Sequence, residues 1–333
     1  MKVNIHSVAR EAGVSIATVS KVINHTGSIS EQTRKRVLEA MNKLNYHRDA
    51  AAASLRSKRT NAIGLLVPDI SNPFYADIAR SIEDRSCELG FNVMMCNTDN
   101  DPEKEKNYLS LLTSQRIDGL VVASAFRSTG LLEEMMDQQG VPIVLIASEI
   151  PKLSINTVTV DDYKGGYLAA SHLLSLGHKK IAIIAENVRS NEPRLAAFKD
   201  AMQEAELLIP DGYIVKTEAL IQKGYESAKQ LLSLKERPTA IFACNDLLAA
   251  GVIQAAKEID ISIPHDLSVV GFDNTVLSTT TSPMLTTVSQ PIKEMGAKVV
   301  ELLMQEMEAS RPYKERLLLS PELMIRQSTA SLH

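Results

Sequence analysis

The pattern of apolar positions divides the chain into a short helical head and a long body of alternating strands and helices. In the first sixty residues apolar side chains recur at helical spacing, which predicts one helix near Ile5–Ala12 and two more after Ser15 and Ser30. From residue 61 onward, continuous apolar runs alternate with amphipathic segments, which is typical of parallel sheets covered on both faces. These runs are 62–67, 91–96, 119–124, 143–148, 180–185, 239–244 and 267–272.

Seven apolar runs are too many for one small sheet, so we expect the body to form two lobes that divide near residue 160. Polar residues follow several of the runs, in the segments VPDISNPFY, CND and GFDN. Ligands bind beyond the carboxyl ends of parallel strands, so these segments predict a site between the lobes. Asn and Asp also cap helices, and for Asn245 and Asp246 capping remains an open alternative.

Two aromatic residues, Phe74 and Tyr75, follow Pro73 where the first strand of the body gives way to a helix. They could belong to the core or form the floor of a binding site. The helix's buried face should continue through Ile78 and Ile82, so the core interpretation fits those residues better. We therefore predict that the aromatic pair faces a cleft.

The head has the pattern of a helix-turn-helix unit. Gly13 can adopt the left-handed conformation that ends a helix, and the hydroxyl of Ser15 can accept from the amide near Thr18. Val19, Val22 and Ile23 give the second helix a buried face, and the third has apolar residues at Val37, Leu38, Met41 and Leu44. In this arrangement the second helix can lie in the major groove of DNA.

The second helix presents side chains suited to that groove. Ile16 and Ala17 can touch thymine methyl groups, and Lys21 can donate to guanine. Other members of the DNA-contacting set, several of them suited to phosphate oxygens, are Ser15, Thr18, Ser20, Asn24, Ile5 and Tyr46. The alternative is a three-helix bundle that binds a protein.

Charge supports the nucleic-acid interpretation. Residues 1–60 hold 11 Lys/Arg against 4 Asp/Glu, whereas the remainder holds 25 against 36. A basic head on an acidic body predicts a polyanionic partner, double-stranded DNA, although a solvated basic face is the alternative.

Other patterns limit the remaining function classes. The sequence has no apolar run long enough to cross a bilayer and no secretory signal, so we expect a cytoplasmic protein without a membrane partner. Three widely spaced cysteines, and the lack of CxxC, GxGxxG, P-loop and GxSxG motifs, predict no metal, no cofactor and no catalytic residues.

The segment VAREAGVSIATVSKVIN, residues 8–24, resembles the N-terminal signature of the lactose/galactose repressor family of bacterial transcription regulators, and the whole chain fits that family. The resemblance implies an α/β fold with a helix-turn-helix head and two doubly wound parallel lobes of periplasmic-binding-protein type. The expected divisions are a head at 1–46, a hinge at 47–60, a first lobe at 61–160 plus 291–325, and a second lobe at 161–290. The resemblance also implies that the tail beginning at residue 285 supplies a strand and a helix that return to the first lobe.

The resemblance also implies functional residues. Leu55 of the hinge would enter the minor groove as a wedge, although the hinge departs from its relatives at Arg48, Asp49 and Ala53, and a flexible linker is the alternative. The residues implied to contact a ligand are Phe74, Tyr75, Arg194, Asn245, Asp273 and Gln290. Ala147 and Ala219 replace groups that grip a sugar in many relatives.

The function implied is a dimeric repressor that binds a pseudo-palindromic operator and responds to a small-molecule effector, a sugar or related metabolite. No heptad pattern follows the last strand, which favours a dimer. Residues 277–297 are similar to Gram-positive catabolite-control regulators, but Glu301 would repel the phosphoserine of their phosphocarrier corepressor, which argues against that partner. The alternatives are a solute-binding module without a genetic role and an enzyme acting on a sugar.

Overall fold

The computed structural model describes residues 3–23, 26–46, 60–123, 126, 129–150, 153–309 and 313–332. The chain forms two compact units, Met1–Thr60 and Asn61–His333. Asn24, Leu55 and the hinge positions 48, 49 and 53 lie outside the described residues.

The first unit contains the three predicted helices, α1 (Ile5–Ala12), α2 (Ile16–Ile23) and α3 (Glu31–Lys43). Gly13 ends α1 in the left-handed conformation, at φ +63°, and the side-chain oxygens of Ser15 and Ser30 accept backbone amides at the starts of α2 and α3. The buried core comprises Val8, Ala9, Ala12, Val19, Val22, Val37 and Ala40. Of the apolar residues of α3, Val37 joins this core, whereas Leu38 lies on the outer face of the helix and is exposed.

The second unit consists of two six-stranded sheets with helices on both faces. The elements up to residue 160 are β1 (Ala62–Val67), α4 (Pro73–Glu88), β2 (Asn92–Asn97), α5 (Pro102–Ser114), β3 (Gly119–Val122), α6 (Thr129–Gln139), β4 (Ile143–Ile146) and β5 (Asn156–Val160). Those that follow are α7 (Asp162–Ser175), β6 (Ile181–Glu186), α8 (Asn191–Glu204), β7 (Ile214–Thr217), α9 (Ile221–Leu232), β8 (Ala240–Ala243), α10 (Asp246–Glu258), β9 (Ser268–Asp273), α11 (Leu277–Thr280), β10 (Thr286–Ser289), α12 (Ile292–Met307), β11 (Arg316–Leu319) and β12 (Glu322–Met324).

The first sheet is parallel throughout, in the order β11-β5-β4-β3-β1-β2. The second has the order β12-β10-β9-β8-β6-β7 and is parallel except for the β10–β12 pair. The inner strands β1, β3, β4, β6, β8 and β9 are buried, as the continuous apolar runs predicted. The run at 91–96 forms the edge strand β2, which is mostly exposed or half-buried, so its continuous apolar pattern did not predict burial. The carboxyl ends of the parallel strands carry the polar segments VPDISNPFY, CND and GFDN.

The C-terminal part of the chain differs from the prediction. Strand β10 does not return to the first lobe but pairs with β9 in the second sheet, and only α12 returns. Strand β12, at 322–324, also belongs to the second sheet, so the first lobe does not extend to 325. The chain therefore passes between the sheets three times, after β5, after β10 and between β11 and β12.

The close approach of α12 to the first lobe depends on a glycine. A Cβ added at Gly296 would lie 2.1 Å from the hydroxyl oxygen of Ser81 on α4.

Across the described ranges, no helix is long and apolar enough to cross a membrane, and no group of three or more His, Cys, Asp or Glu side chains could hold a metal ion.

Candidate functional site

The exposed face of α2 is the candidate surface in the first unit. Ile16, Ala17 and Lys21 are exposed, as the helical spacing predicted. The hydroxyl of Ser15 accepts from the amide of Thr18 at 3.1 Å and lies 2.9 Å from the Thr18 hydroxyl, so both groups belong to the cap that orients the start of α2.

The remaining predicted residues of this unit are less accessible. Thr18 and Ser20 are half-buried. Ile5 and Tyr46 are half-buried as well and pack against the core of the head. Only part of each of these side chains is available to a partner.

In the body, the loop between β1 and α4 brings the aromatic pair to the end of the first sheet. The side-chain oxygen of Asn72 caps α4 by accepting from the amide of Phe74 at 3.1 Å. The two rings meet edge to face, with centroids 5.1 Å apart. Phe74 is only 7% exposed and lies in the first lobe's core with Ile78 and Ile82, so the prediction that it lies outside the core was wrong. Tyr75 is half-buried.

Arg194 is the buried cation of the second lobe. Its Nε and Nη2 atoms lie 2.7 Å from Oδ1 of Asp162, and its Nη1 donates to the carbonyl oxygen of Cys244 at 2.5 Å. The guanidinium carbon lies 3.5 Å from the centre of the Phe272 ring, a cation–π arrangement. Burial raises the pKa of Asp162, and the charge of Arg194 opposes that rise.

The glycine pair at the start of α7, Gly165 and Gly166, makes this arrangement possible. A Cβ at Gly165 would lie 2.6 Å from the Phe272 ring, and one at Gly166 would lie 2.7 Å from the Cα atom of Arg194. The absence of side chains there lets α7 approach both β9 and α8 closely.

Asp273 ends β9, Gln290 directly follows the adjacent strand β10, and the two residues form a buried pair. Nε2 of Gln290 donates to Oδ1 of Asp273 at 2.7 Å. Asp273 has φ of +107°, and burial raises its pKa well above the ordinary range, against the opposing charge of Arg194. A carboxyl group held in this way can accept hydrogen bonds when ionised and donate one when protonated.

The structure resolves the alternative left open for Asn245 and Asp246. Asn245 caps α10, with Oδ1 accepting from the amide of Leu248 at 2.8 Å. Asp246 accepts from the amide and hydroxyl of Thr275 and from the hydroxyl of Thr287, which ties the ends of β9 and β10 together. Helix capping is therefore confirmed for Asn245, and Asp246 holds the strand ends.

Tyr75 reveals that the two lobes face one another at these strand ends. Burial raises the pKa of its hydroxyl, and the negative charges of Glu186 and Asp273 in the second lobe raise it further, while Arg194 opposes them. The structure thus brings Tyr75, Arg194 and Asp273 together. It adds Glu186, which the sequence analysis missed although this residue ends strand β6 just as Asp273 ends β9.

The α12 surface carries Glu301, the residue expected to repel the phosphoserine of a phosphocarrier corepressor. Glu301 lies 3.1 Å from the ammonium of Lys298 and 3.5 Å from the guanidinium of Arg85. The carboxylate thus engages cations that could otherwise meet a phosphoserine.

Comparisons with known proteins follow the same division of the chain. Residues 4–49 match the family model described as bacterial regulatory proteins, lacI family, and residues 170–329 match that of the periplasmic binding protein-like domain. The chain is 46% identical over 338 residues to the HTH-type transcriptional regulator DegA of Bacillus subtilis (strain 168), with all of both chains covered.

Two solved structures are similar over most of their length. The Lac repressor dimer bound to operator and the anti-inducer ONPF matches with a TM-score of 0.86 and 28% identity, covering 99% of this chain and all of that one. A LacI family transcriptional regulator from Enterococcus faecium with bound ribose matches with a TM-score of 0.74 and 35% identity, covering 82% of this chain and all of that one.

Proposed function

The chain belongs to the LacI family of bacterial regulatory proteins, and from this premise we propose that it is a dimeric repressor that an effector controls. Its relatives are named transcriptional regulators, and the chain is a DNA-binding regulator of that kind. The single observation that carries the proposal is the capped helix α2 with an exposed apolar and basic face, inside the segment that the lacI model matches.

We assign base contacts to the exposed residues of α2. The methyl groups of Ile16 and Ala17 suit thymine, and the ammonium of Lys21 suits guanine O6 or N7. Phosphate and groove contacts are assigned to Ser15, Thr18, Ser20, Asn24, Ile5, Tyr46 and Leu55. A dimer with two-fold symmetry would place two such heads on a pseudo-palindrome.

We assign the effector to the cleft where the strand ends of the two lobes meet. Tyr75 offers a ring face, Asp273 and Gln290 offer hydrogen-bonding groups, and Arg194 offers a fixed positive charge. Phe74 supports the Tyr75 ring through their edge-to-face contact. Asn245 contributes its side-chain NH₂ group, because the helix cap uses only its Oδ1 atom. The ribose bound to the Enterococcus faecium relative supports a sugar or a related metabolite as the class of ligand.

Effector control follows from ligand contacts on both lobes. A ligand held by Tyr75 on one side and Asp273 on the other stabilises one angle between the lobes over others. The three chain crossings between the sheets would adjust with that angle. In a dimer the change would alter the spacing of the two heads, which couples effector affinity to operator affinity in both directions.

Footprinting of the full chain on DNA of its source genome, at a stated moderate salt concentration, tests the proposal. We expect protection of a pseudo-palindrome and a shift in its affinity when an effector is added. Salt must be fixed because phosphate contacts make affinity strongly dependent on it. If no palindrome is protected, the proposal is wrong.

A solute-binding module without a genetic role is the second candidate, since the body alone could hold a ligand. Removal of residues 1–60 separates the two: a solute binder keeps its whole function, whereas a repressor loses operator binding and keeps effector binding. We propose no enzymatic activity, because the relatives are named regulators and the cleft residues form no pair of nucleophile and base.

A further inference from the structure

A pocket of about 300 Å³ opens at the carboxyl ends of β6 and β7, beside the first turn of α8. Its charged and amide-bearing lining residues include Glu186, Arg189, Asn191, Glu192 and Lys216. Glu186 is shared with the cleft, because its charge also acts on the pKa of Tyr75. The pocket therefore adjoins the proposed effector site on the side of the second lobe.

Asn191 contributes a donor to the pocket wall. The residue is 3% exposed, and its Oδ1 accepts from the backbone amide of Glu186 at 2.9 Å. Among the residues that the structure describes, the Nδ2 group of the same amide has no hydrogen-bond acceptor. This NH₂ group keeps some contact with solvent, so an acceptor atom from a ligand can reach it.

Two cations on the pocket wall are also without partners. In the described parts of the chain, neither Arg189 nor Lys216 forms an ion pair or a side-chain hydrogen bond. They belong to different elements, since Arg189 precedes α8 and Lys216 lies in β7. Their convergence on one pocket leaves two positive charges available to a ligand.

The acidic residues of the lining lie beside these cations without pairing with them. Glu192 lies in the first turn of α8, a helix with no side-chain N-cap, so its charge acts on the positive end of the helix dipole. Burial raises the pKa of Glu186, and the charge of Arg194 opposes that rise. The two cations therefore remain available to an anion, whereas the groups around Tyr75 include the carboxyls of Asp69 and Asp273.

We propose that this pocket binds the anionic oxygen group of the effector, with Arg189, Lys216 and Nδ2 of Asn191 as the donors. The proposal rests on the effector site proposed above and narrows its ligand to an acidic derivative of a hydroxylated ring. The ring lies toward Tyr75, where the carboxyl of Asp273 can accept from ring hydroxyls. The unpaired cations of the pocket thus favour one orientation of the ligand.

Inorganic phosphate is the first probe, titrated into the full chain at constant ionic strength by calorimetry. We expect saturable binding that weakens about tenfold or more in the double variant Arg189→Gln/Lys216→Gln, since charged hydrogen bonds are the stronger kind. The control is Lys199→Gln/Lys257→Gln, which removes the same charge from exposed positions of the same lobe, on α8 and α10. It should change phosphate affinity by less than about twofold, because screened charges at a distance contribute little.

Asn191→Asp gives a second variant that does not disturb the turn. The aspartate keeps an oxygen for the amide of Glu186 but replaces the NH₂ donor with an acceptor of negative charge. Phosphate binding should be lost while thermal unfolding stays near that of the wild type. Unchanged phosphate affinity would show that the Asn191 donor does not face the ligand.

Matched pairs of compounds then test the effector class: ribose with ribose 5-phosphate, and glucose with glucose 6-phosphate and with gluconate. The acidic members should bind more tightly than their parents, and the comparison of phosphate with carboxylate identifies which group the pocket prefers. If phosphate binds but the acidic compounds bind no more tightly than their parents, phosphate is an adventitious ion only and the proposal is overturned. The proposal is also overturned if phosphate binding is not saturable, or if both double variants lose the same phosphate affinity. Footprinting on the same samples keeps the two proposals apart: a protected operator with no anion effect refutes the pocket alone, whereas a missing footprint refutes the repressor.

Discussion

Gly166→Ala tests whether the close contact between α7 and α8 holds Arg194 in place. The new Cβ would lie 2.6 Å from the carbonyl oxygen and 2.7 Å from the Cα atom of Arg194, and neither backbone atom can rotate away. The helices would have to separate by roughly 0.7 Å to reach ordinary contact, and overpacking of this kind costs about 1–3 kcal/mol. Alanine in a helix returns about 1 kcal/mol relative to glycine, so we expect a net loss of up to about 2 kcal/mol.

Gly130→Ala is the matched control, because Gly130 is also helical but a Cβ there meets nothing within 4 Å. It should be neutral or stabilise the chain by up to about 1 kcal/mol. Urea unfolding followed by far-ultraviolet circular dichroism gives the midpoint and slope for both variants and the wild type. If Gly166→Ala is as stable as Gly130→Ala, the close packing of α7 on α8 does not hold the site, and the reasoning fails.

Three further predictions concern the head, the cleft and the strand ends. Lys21→Ala should weaken operator binding about tenfold and relax the sequence preference at one base pair, whereas replacement of Lys35, an exposed lysine of α3, by alanine should change operator binding little. Titrated footprints on wild-type and single-base-substituted operators compare the two variants. Equal losses of affinity would contradict a base contact by Lys21. Arg194→Lys should abolish the effector-dependent rise in melting temperature, because an ammonium cannot make all three of the contacts to Asp162, Cys244 and Phe272. A rise that persists in a thermal-shift assay of this variant would exclude a role of Arg194 in effector binding. Burial raises the pKa of Asp246 to about 6, so the folded state binds its proton more tightly than the unfolded state does. The free energy of unfolding of the wild type, relative to Asp246→Asn, should therefore fall as the pH rises from about 4 to 6. Urea midpoints at several pH values that show no such fall would contradict this prediction.

The strands that the sequence analysis found are those whose apolar runs are continuous. The strands it did not place are short and of another composition. β10 reads Thr-Thr-Val-Ser yet has three buried residues, and β11 alternates exposed and half-buried positions at the edge of its sheet. Pairing with a distant partner decides such segments, since β-propensity depends on context. The same reason explains why β12 was assigned to the wrong lobe.

The expectation that polar residues directly after buried parallel strands line the cleft explains which cleft residues were predicted and which were missed. It identified Asn245, Asp246 and Asp273 because each follows an apolar run. It passed over Glu186, although this residue also follows an apolar run, 180–185, so the same expectation applied to β6 would have identified it. The role of Asp246 was inaccessible, because its partners Thr275 and Thr287 are 29 and 41 residues away.

Phe74 and Tyr75 are adjacent in sequence but lie in different environments, and helix geometry explains the difference. Successive residues of α4 are rotated by about 100°, and Phe74 lies four and eight positions before Ile78 and Ile82, on the same buried face. Tyr75 is therefore turned toward the second lobe, where the charges of Glu186 and Asp273 act on it. Phe74 contacts it edge to face, so a change at Phe74 reaches a ligand through the position of the Tyr75 ring and through the stability of the first lobe. The aromatic pair is thus one core residue that supports one cleft residue.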